Sequence, residues 1–375
     1  MIVNSNTYLS TLDFEETYYN NYKPEIKTII NNLDKNKNNF HNLVPLKKRI
    51  YQFKTNENIN TEIKNILIKL NIQEGDFLNI ISNSKNFYQI KKIKKRNGKE
   101  RTLSIPCDKL KLMQRYILEN IFYKQIEKIN FNPCITGFIQ GKSTIDNAIP
   151  HLNKKYVIKI DIKDFFPSIS RYMIFKAFKK KLNIPHKEAY FFSKIVTCND
   201  SLPQGGITSP FISNICLHNF DNRLTKLINS INKYKTIEAS YTRFADDLSF
   251  SFNSRINFNR FIEKIYEIIY DEGYIPNYTK TKLLHKTVKQ QVTGIIVNGD
   301  ELSISKKTRD NVRFIINIWK KYGINVAELK YSKIFGKVKE SLPLQLQGLI
   351  SYIKSINEKQ GKKLEELFLQ VKNNY

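Results

Sequence analysis

Two adjacent carboxylates, Asp246 and Asp247, stand between two stretches that read as β-strands, and this arrangement narrows the possible folds more than any other feature of the chain. After the pair, Leu248, Phe250 and Phe252 alternate with Ser249 and Ser251, the period of a half-buried strand. Before it, Ser240 to Phe244 reads the same way. Strands on both sides of so short a break predict a tight hairpin, whose tip aims both carboxylates at one point. Like charges this close repel, so a chain places them in solvent or gives them a cation to hold. A polar turn is the plain reading of the dipeptide alone, because Asp is a common turn residue. The flanking aromatics and a second acidic site point further.

That second site is Asp161, which ends the apolar run Tyr156-Val157-Ile158-Lys159-Ile160. Taken alone, Asp161 also suits the N-cap of the segment that follows. If its strand pairs with the hairpin, Asp161 joins Asp246 and Asp247 as an all-oxygen cluster, the donor type that Mg²⁺ prefers. Two such ions about 4 Å apart can activate an attacking hydroxyl and stabilise a leaving oxygen in a phosphoryl displacement.

With Leu202-Pro203-Gln204-Gly205-Gly206-Ile207-Thr208-Ser209-Pro210 between them, the two acidic stretches resemble motifs A, B and C of reverse transcriptases, in order over residues 156–252. Phe244-Ala245-Asp246-Asp247 stands where that family usually has Tyr-x-Asp-Asp, a change that removes a hydroxyl and keeps the ring. The resemblance implies roles residue by residue. Asp161, Asp246 and Asp247 would be the catalytic metal ligands. Gln204 would lie against the sugar of an incoming nucleotide, and Gly205 would let backbone approach it closely. Phe166 would block a 2′-hydroxyl and so select deoxynucleotides. Arg101 would hold the triphosphate, a task suited to bidentate guanidinium. Lys280 would protonate the departing pyrophosphate.

Two further signatures resemble those of retron reverse transcriptases: Asn147-Ala148-Ile149-Pro150-His151, and the triplet Val292-Thr293-Gly294. The resemblance implies that Asn147, His151, Val292, Thr293 and Gly294 take part in RNA binding. For His151 a hydrogen-bonded structural histidine is the competing reading, and the two need not exclude each other.

The implied fold is α+β, a right-hand polymerase with fingers, an antiparallel palm sheet with helices, and a helical thumb. Residues 76–145 are expected to form the fingers, 146–290 the palm and 291–375 the thumb. Residues 1–75 are expected to be a helical extension, with helical patterns from Pro24 to Leu33 and from Thr61 to Leu70 around the polar run Asp34 to Asn39. In the thumb, Val312, Ile315, Ile316 and Trp319 recur at helical spacing, beside Lys306, Lys307, Arg309 and Arg313. The stripe reads as core. The basic face reads either as a track for a template duplex or as solvated surface.

Composition agrees with a polyanionic partner: 62 Lys and Arg stand against 34 Asp and Glu, a net charge of +28. No apolar run approaches the roughly 20 residues that span a bilayer, and Met1 to Ser5 shows no signal pattern. Cys107, Cys134, Cys198 and Cys216 lack paired spacing, which predicts neither a zinc site nor a disulfide framework and suits a reducing bacterial cytoplasm. Gly141-Lys142-Ser143-Thr144 looks like the end of a P-loop, but the first glycine of that pattern is displaced by Thr136.

What the resemblance implies is an RNA-directed DNA polymerase that uses Mg²⁺ and deoxynucleoside triphosphates on a structured noncoding RNA. It would prime from the 2′-hydroxyl of a guanosine in that RNA and leave a branched RNA–DNA product (msDNA). It would serve antiphage defence with a separately encoded effector protein. The alternatives are a group II intron-like, diversity-generating or abortive-infection type of reverse transcriptase, or an RNA-binding scaffold in which polymerisation is dispensable.

Overall fold

A computed structural model describes residues 59–94, 98, 100–234 and 236–373. The helical pattern at Pro24 to Leu33 and the polar run after it lie outside the described residues. Within them, the expected helix at Thr61 forms as α1 (Thr61–Lys69), capped by the Asn60 side chain, and α2 (Glu74–Ser82) follows. An antiparallel hairpin of β1 (Tyr88–Lys94) and β2 (Glu100–Pro106) leads into α3 (Asp108–Ile117) and α4 (Thr144–Ala148).

The central sheet is antiparallel, in the order β4-β5-β3-β6, from β3 (Tyr156–Asp161), β4 (Ala239–Phe244), β5 (Asp247–Phe252) and β6 (Lys282–His285). Strand alternation gives it two unlike faces. One carries Tyr156, Ile158, Ile160, Tyr241, Leu248, Phe250 and Phe252, all buried. Against it pack α8 (His218–Asn232) and α9 (Phe258–Asp271), with Phe261 edge-on to both Phe250 and Phe252. The other face carries Lys159, Asp161, Thr242, Asp247 and Ser249. Between β3 and β4 the chain supplies α5 (Arg171–Lys181), α6 (His186–Ile195) and α7 (Ser209–Cys216), whose aromatic residues join the same core.

From Val292 onward the chain builds a second core. A small ladder of β7 (Gln291–Val292) and β8 (Ile295–Ile296) precedes α10 (Lys306–Tyr322), α11 (Ile324–Phe335), α12 (Leu342–Ile356) and α13 (Glu358–Lys372). Val312, Ile315, Ile316 and Trp319 form the buried stripe of α10, as their spacing predicts, while Lys306, Lys307 and Arg313 are exposed.

The two retron-like signatures, far apart in sequence, meet on the polar side of the sheet. Thr293 and Gly294 form the β7–β8 turn with φ of 45° and 90°, a conformation Gly adopts freely and a β-branched Thr does not. The Thr293 hydroxyl donates to Thr144 O at 3.2 Å, and Asn147 Nδ2 donates to Thr293 Oγ1 at 3.5 Å. His151 sits between Ser251 (2.8 Å to Nδ1) and Thr242 (2.7 Å to Nε2). Since Thr242 Oγ1 donates its proton to Asn147 O, Nε2 is the donor to Thr242, and the Ser251 hydroxyl can then donate to Nδ1 of a neutral ring. Asn147, His151 and Val292 are each 0% exposed. Direct RNA contact through these three side chains therefore does not fit their burial, and His151 occupies the hydrogen-bonded structural position. Gly294 is exposed at the turn.

Burial pushes the His151 pKa down to about 3. The unfolded chain protonates this histidine near its ordinary value of about 6.5, so the stability gained from a neutral ring is complete above that pH and is lost as pH falls toward 3, by about 1.4 kcal/mol per pH unit. In His151→Gln this contribution to the pH dependence should be absent. Denaturant unfolding at pH 7.5 and 5.5 should show wild type losing ~1.4 kcal/mol more than the variant on acidification. Equal losses would contradict a neutral buried ring.

Candidate active site

The strand register brings the acidic residues together. Asp161, the last residue of β3, lies directly opposite Asp247, the first of β5, and Phe244 pairs with Asp247 across the hairpin. Only Ala245 and Asp246 remain for the turn. Ala245 has φ of 57°, in the left-handed region, and Ile162 N donates to Asp246 O at 3.1 Å, tying the turn to the residue after Asp161. Asp161 is 5% exposed, and Asp246 and Asp247 are half-buried.

Lys280 answers the acidic charge. Its Nζ donates to both oxygens of Asp161 at 2.8 Å, and Asn277 adds bonds from Nδ2 to Asp161 Oδ1 at 2.9 Å and from its backbone N to Asp161 O at 2.7 Å. Burial opposes the Lys280 charge, but the bond to Asp161 and the field of all three carboxylates hold its pKa above the ordinary lysine value. Burial, with repulsion from Asp161 and Asp247, raises Asp246 to about 6. Asp247 is raised as well, by burial first, with Lys159 partly offsetting it and Asp161 adding to it.

These residues fit a divalent cation in donor type: all-oxygen ligands, unfavourably close to one another, with an ammonium group already occupying the Asp161 oxygens. Among the described residues no three His, Cys, Asp or Glu side chains stand in a ready-made metal cage. Beside the carboxylates runs a cleft lined by Lys159, Asp161, Asp247, Lys280, Lys282 and Lys289. Lys159 and Lys282 are direct cross-strand partners, a like-charge pairing that favours an anion lying over it.

The other sequence-derived positions surround this centre. Phe166, on the single helical turn Phe165–Ser168, is part of an aromatic wall: Phe138 lies 6.2 Å from Phe166 and 6.3 Å from Phe244 between ring centroids. The Gln204-Gly205 segment is bound to β2, where Ser104 N donates to Gln204 O at 2.8 Å, and a Cβ on Gly205 would meet Ser104 O at 3.1 Å. Arg101, exposed on β2 opposite Ile93, belongs to that same hairpin.

Sequence reasoning assigned no role to Asn277, to Phe138, or to the buried set Asn214, Asp221 and Arg243 behind the turn. Nothing in the spacing of Asn277 or Phe138 distinguishes them in the sequence. Arg243 did carry a signal: a charge on the apolar phase of a strand requires a buried partner.

A family model described as reverse transcriptase (RNA-dependent DNA polymerase) matches residues 93–328, which hold all the motifs above. The chain is 30% identical over 250 residues to the Retron Mx162 reverse transcriptase of Myxococcus xanthus, covering 59% of this chain and 50% of that one. It is 27% identical over 276 residues to the Retron Ec86 reverse transcriptase of Escherichia coli, covering 73% and 78%. To the Retron Se72 reverse transcriptase of Salmonella heidelberg it is 30% identical over 234 residues, covering 61% and 59%. The chain thus spans half the length of the first of these relatives. With the matched span, the antiparallel sheet and its surrounding helices in agreement with the α+β right-hand expectation, the chain belongs to the reverse transcriptase family.

Proposed function

We propose that the protein is a retron-type RNA-directed DNA polymerase. The observation that carries this reading is the register that sets Asp161 opposite Asp247, with Asp246 in the turn and Lys280 bound to Asp161. By this reading Asp161, Asp246 and Asp247 hold Mg²⁺, which when bound supplies charge neutralisation at the transferring phosphoryl group and acidifies the attacking hydroxyl. Lys280 carries a proton within reach of the site, available to the departing pyrophosphate. Phe166 and Phe138 wall the sugar side, Gln204 and Gly205 line the nucleotide's approach, and Arg101 reaches the triphosphate from the β1–β2 hairpin.

The substrates are deoxynucleoside triphosphates and a structured noncoding RNA, primed from a guanosine 2′-hydroxyl to give branched msDNA. The reading extends to a role in bacterial antiphage defence, with a separately encoded effector. Residues 76–145, 146–290 and 291–375 serve as fingers, palm and thumb. The cleft of Lys159, Lys282 and Lys289 and the exposed lysines of α10 follow the nucleic-acid backbone. Asn147, His151, Val292, Thr293 and Gly294 act on RNA recognition indirectly, by fixing the base of the thumb against the sheet. No helix of the described residues is long and apolar enough to cross a membrane.

Asp246→Asn and Asp247→Asn should each abolish DNA synthesis on the RNA while leaving RNA affinity nearly unchanged, since the basic surface is untouched. Primer extension and filter binding on the same preparations check this, and near-normal synthesis by both variants would contradict the assignment. Phe166→Ala should raise the ratio of ribonucleotide to deoxynucleotide incorporation, because the space left by the ring admits a 2′-hydroxyl. An unchanged ratio would assign the selection to another residue.

A further inference from the structure

Behind the catalytic turn lies a ring of buried polar groups. Arg243 is 0% exposed, and its guanidinium is held by Asp221, also 0% exposed, through Nε to Oδ1 at 2.8 Å and Nη2 to Oδ2 at 2.7 Å. The Tyr241 hydroxyl donates to the same Asp221 Oδ1 at 2.8 Å. The remaining nitrogen, Nη1, donates at 3.1 Å to Ala245 O and at 3.1 Å to Asn214 Oδ1. Asn214, 1% exposed on α7, donates in turn from Nδ2 to Gly137 O at 2.9 Å. Gly137 closes the ring by packing: a Cβ there would stand 2.6 Å from Ala245 N. The Arg243 backbone is fixed too, its N donating to Cys134 O at 2.8 Å and its O accepting from Thr136 N at 3.0 Å.

Two members of this ring, Arg243 through Nη1 and Gly137 through packing, meet at Ala245, the residue whose left-handed φ turns the chain immediately before Asp246. That conformation costs an L-residue about 1–2 kcal/mol, so the surroundings must impose it. A buried ion pair adds little net stability over apolar residues of the same shape. What the Arg243 fork supplies is direction, with Nη1 shared between Ala245 O and Asn214 Oδ1 and the other two nitrogens on the Asp221 carboxylate.

We infer that Arg243, acting through Ala245 O and braced by Asp221, Asn214 and Gly137, is a positioning residue that sets the aim of Asp246 and Asp247. Helix α7 directly follows the Gln204-Gly205 segment, so Asn214 also links the nucleotide-side segment to the catalytic turn. The inference takes DNA synthesis at these carboxylates as the reaction, and so rests on the proposed function. A misplacement of about 1 Å in a catalytic group can lower a rate about 100-fold without weakening binding.

The test uses the full chain with Asn214→Ala, Gly137→Ala and Arg243→Lys, and measures single-turnover nucleotide incorporation, the KM for deoxynucleotide, RNA affinity and thermal unfolding. Asn214→Ala leaves the Arg243–Asp221 pair in place, so it reports on the ring if Arg243→Lys fails to fold. The expected result for Asn214→Ala and Gly137→Ala is a rate at saturating nucleotide lowered about 10- to 100-fold, with KM and RNA affinity within about 2-fold of wild type. Arg243→Lys, which keeps the charge and loses the fork, should show the same split. A wild-type rate in folded Asn214→Ala and Gly137→Ala overturns the inference, as does a rate that falls only in proportion to lost RNA affinity and stability. A wild-type chain that makes no DNA overturns the functional reading and the inference with it.

Discussion

The structure turns on an unfavourable contact: an antiparallel register that sets one carboxylate directly across from another. Asp161 and Asp247 are Cα partners, and Asp246 sits one residue away in a turn too short to separate it. Burial first, and then repulsion from Asp161 and Asp247, raises Asp246 to about 6. The apolar face of the same strands holds this register: Ile158 and Ile160 of β3 oppose Phe250 and Leu248 of β5, and a one-residue slip would carry every one of these side chains to the polar side. The strain at the site is thus held in place by hydrophobic burial on the other side of the sheet, with Lys280 neutralising part of the charge.

The polar face is divided by function. At one end stand the carboxylates, Lys280 and the basic cleft. At the other, His151, Thr242, Ser251, Asn147 and Thr293 form a closed hydrogen-bonded joint where the second core meets the sheet. The joint leaves no free surface on Asn147 or His151. Its physical consequence is that the helices after Val292 are registered against the strands that carry Asp247.

Much of this was legible in the sequence, and for local reasons. The alternation of Leu248, Phe250 and Phe252 with serines gives the strand and, with Ser240 to Phe244, the hairpin. The stripe of Val312, Ile315, Ile316 and Trp319 gives a buried helix face. Asp161 is marked by the apolar run it ends and Lys280 by its place after the motifs, and the structure brings both to one place. What was not legible depends on partners distant in sequence. Asn277 binds Asp161 across 116 residues, and Arg243 reaches Asp221 and Asn214 across 22 and 29. No periodicity encodes such pairs. For Asn147 and His151 the sequence indicated that they matter and was silent on depth, because a polar residue reads as surface until its hydrogen-bond partners are known.

By the proposed function, the juxtaposed carboxylates carry out RNA-templated DNA synthesis through a divalent cation. The most direct measurement is incorporation of deoxynucleotides by the purified chain on a primed RNA template, with the cation removed by chelation and then restored. The account predicts DNA product that disappears with chelation and returns on restoring Mg²⁺. Synthesis indifferent to chelation, or none on any RNA template with Mg²⁺ present, would contradict it.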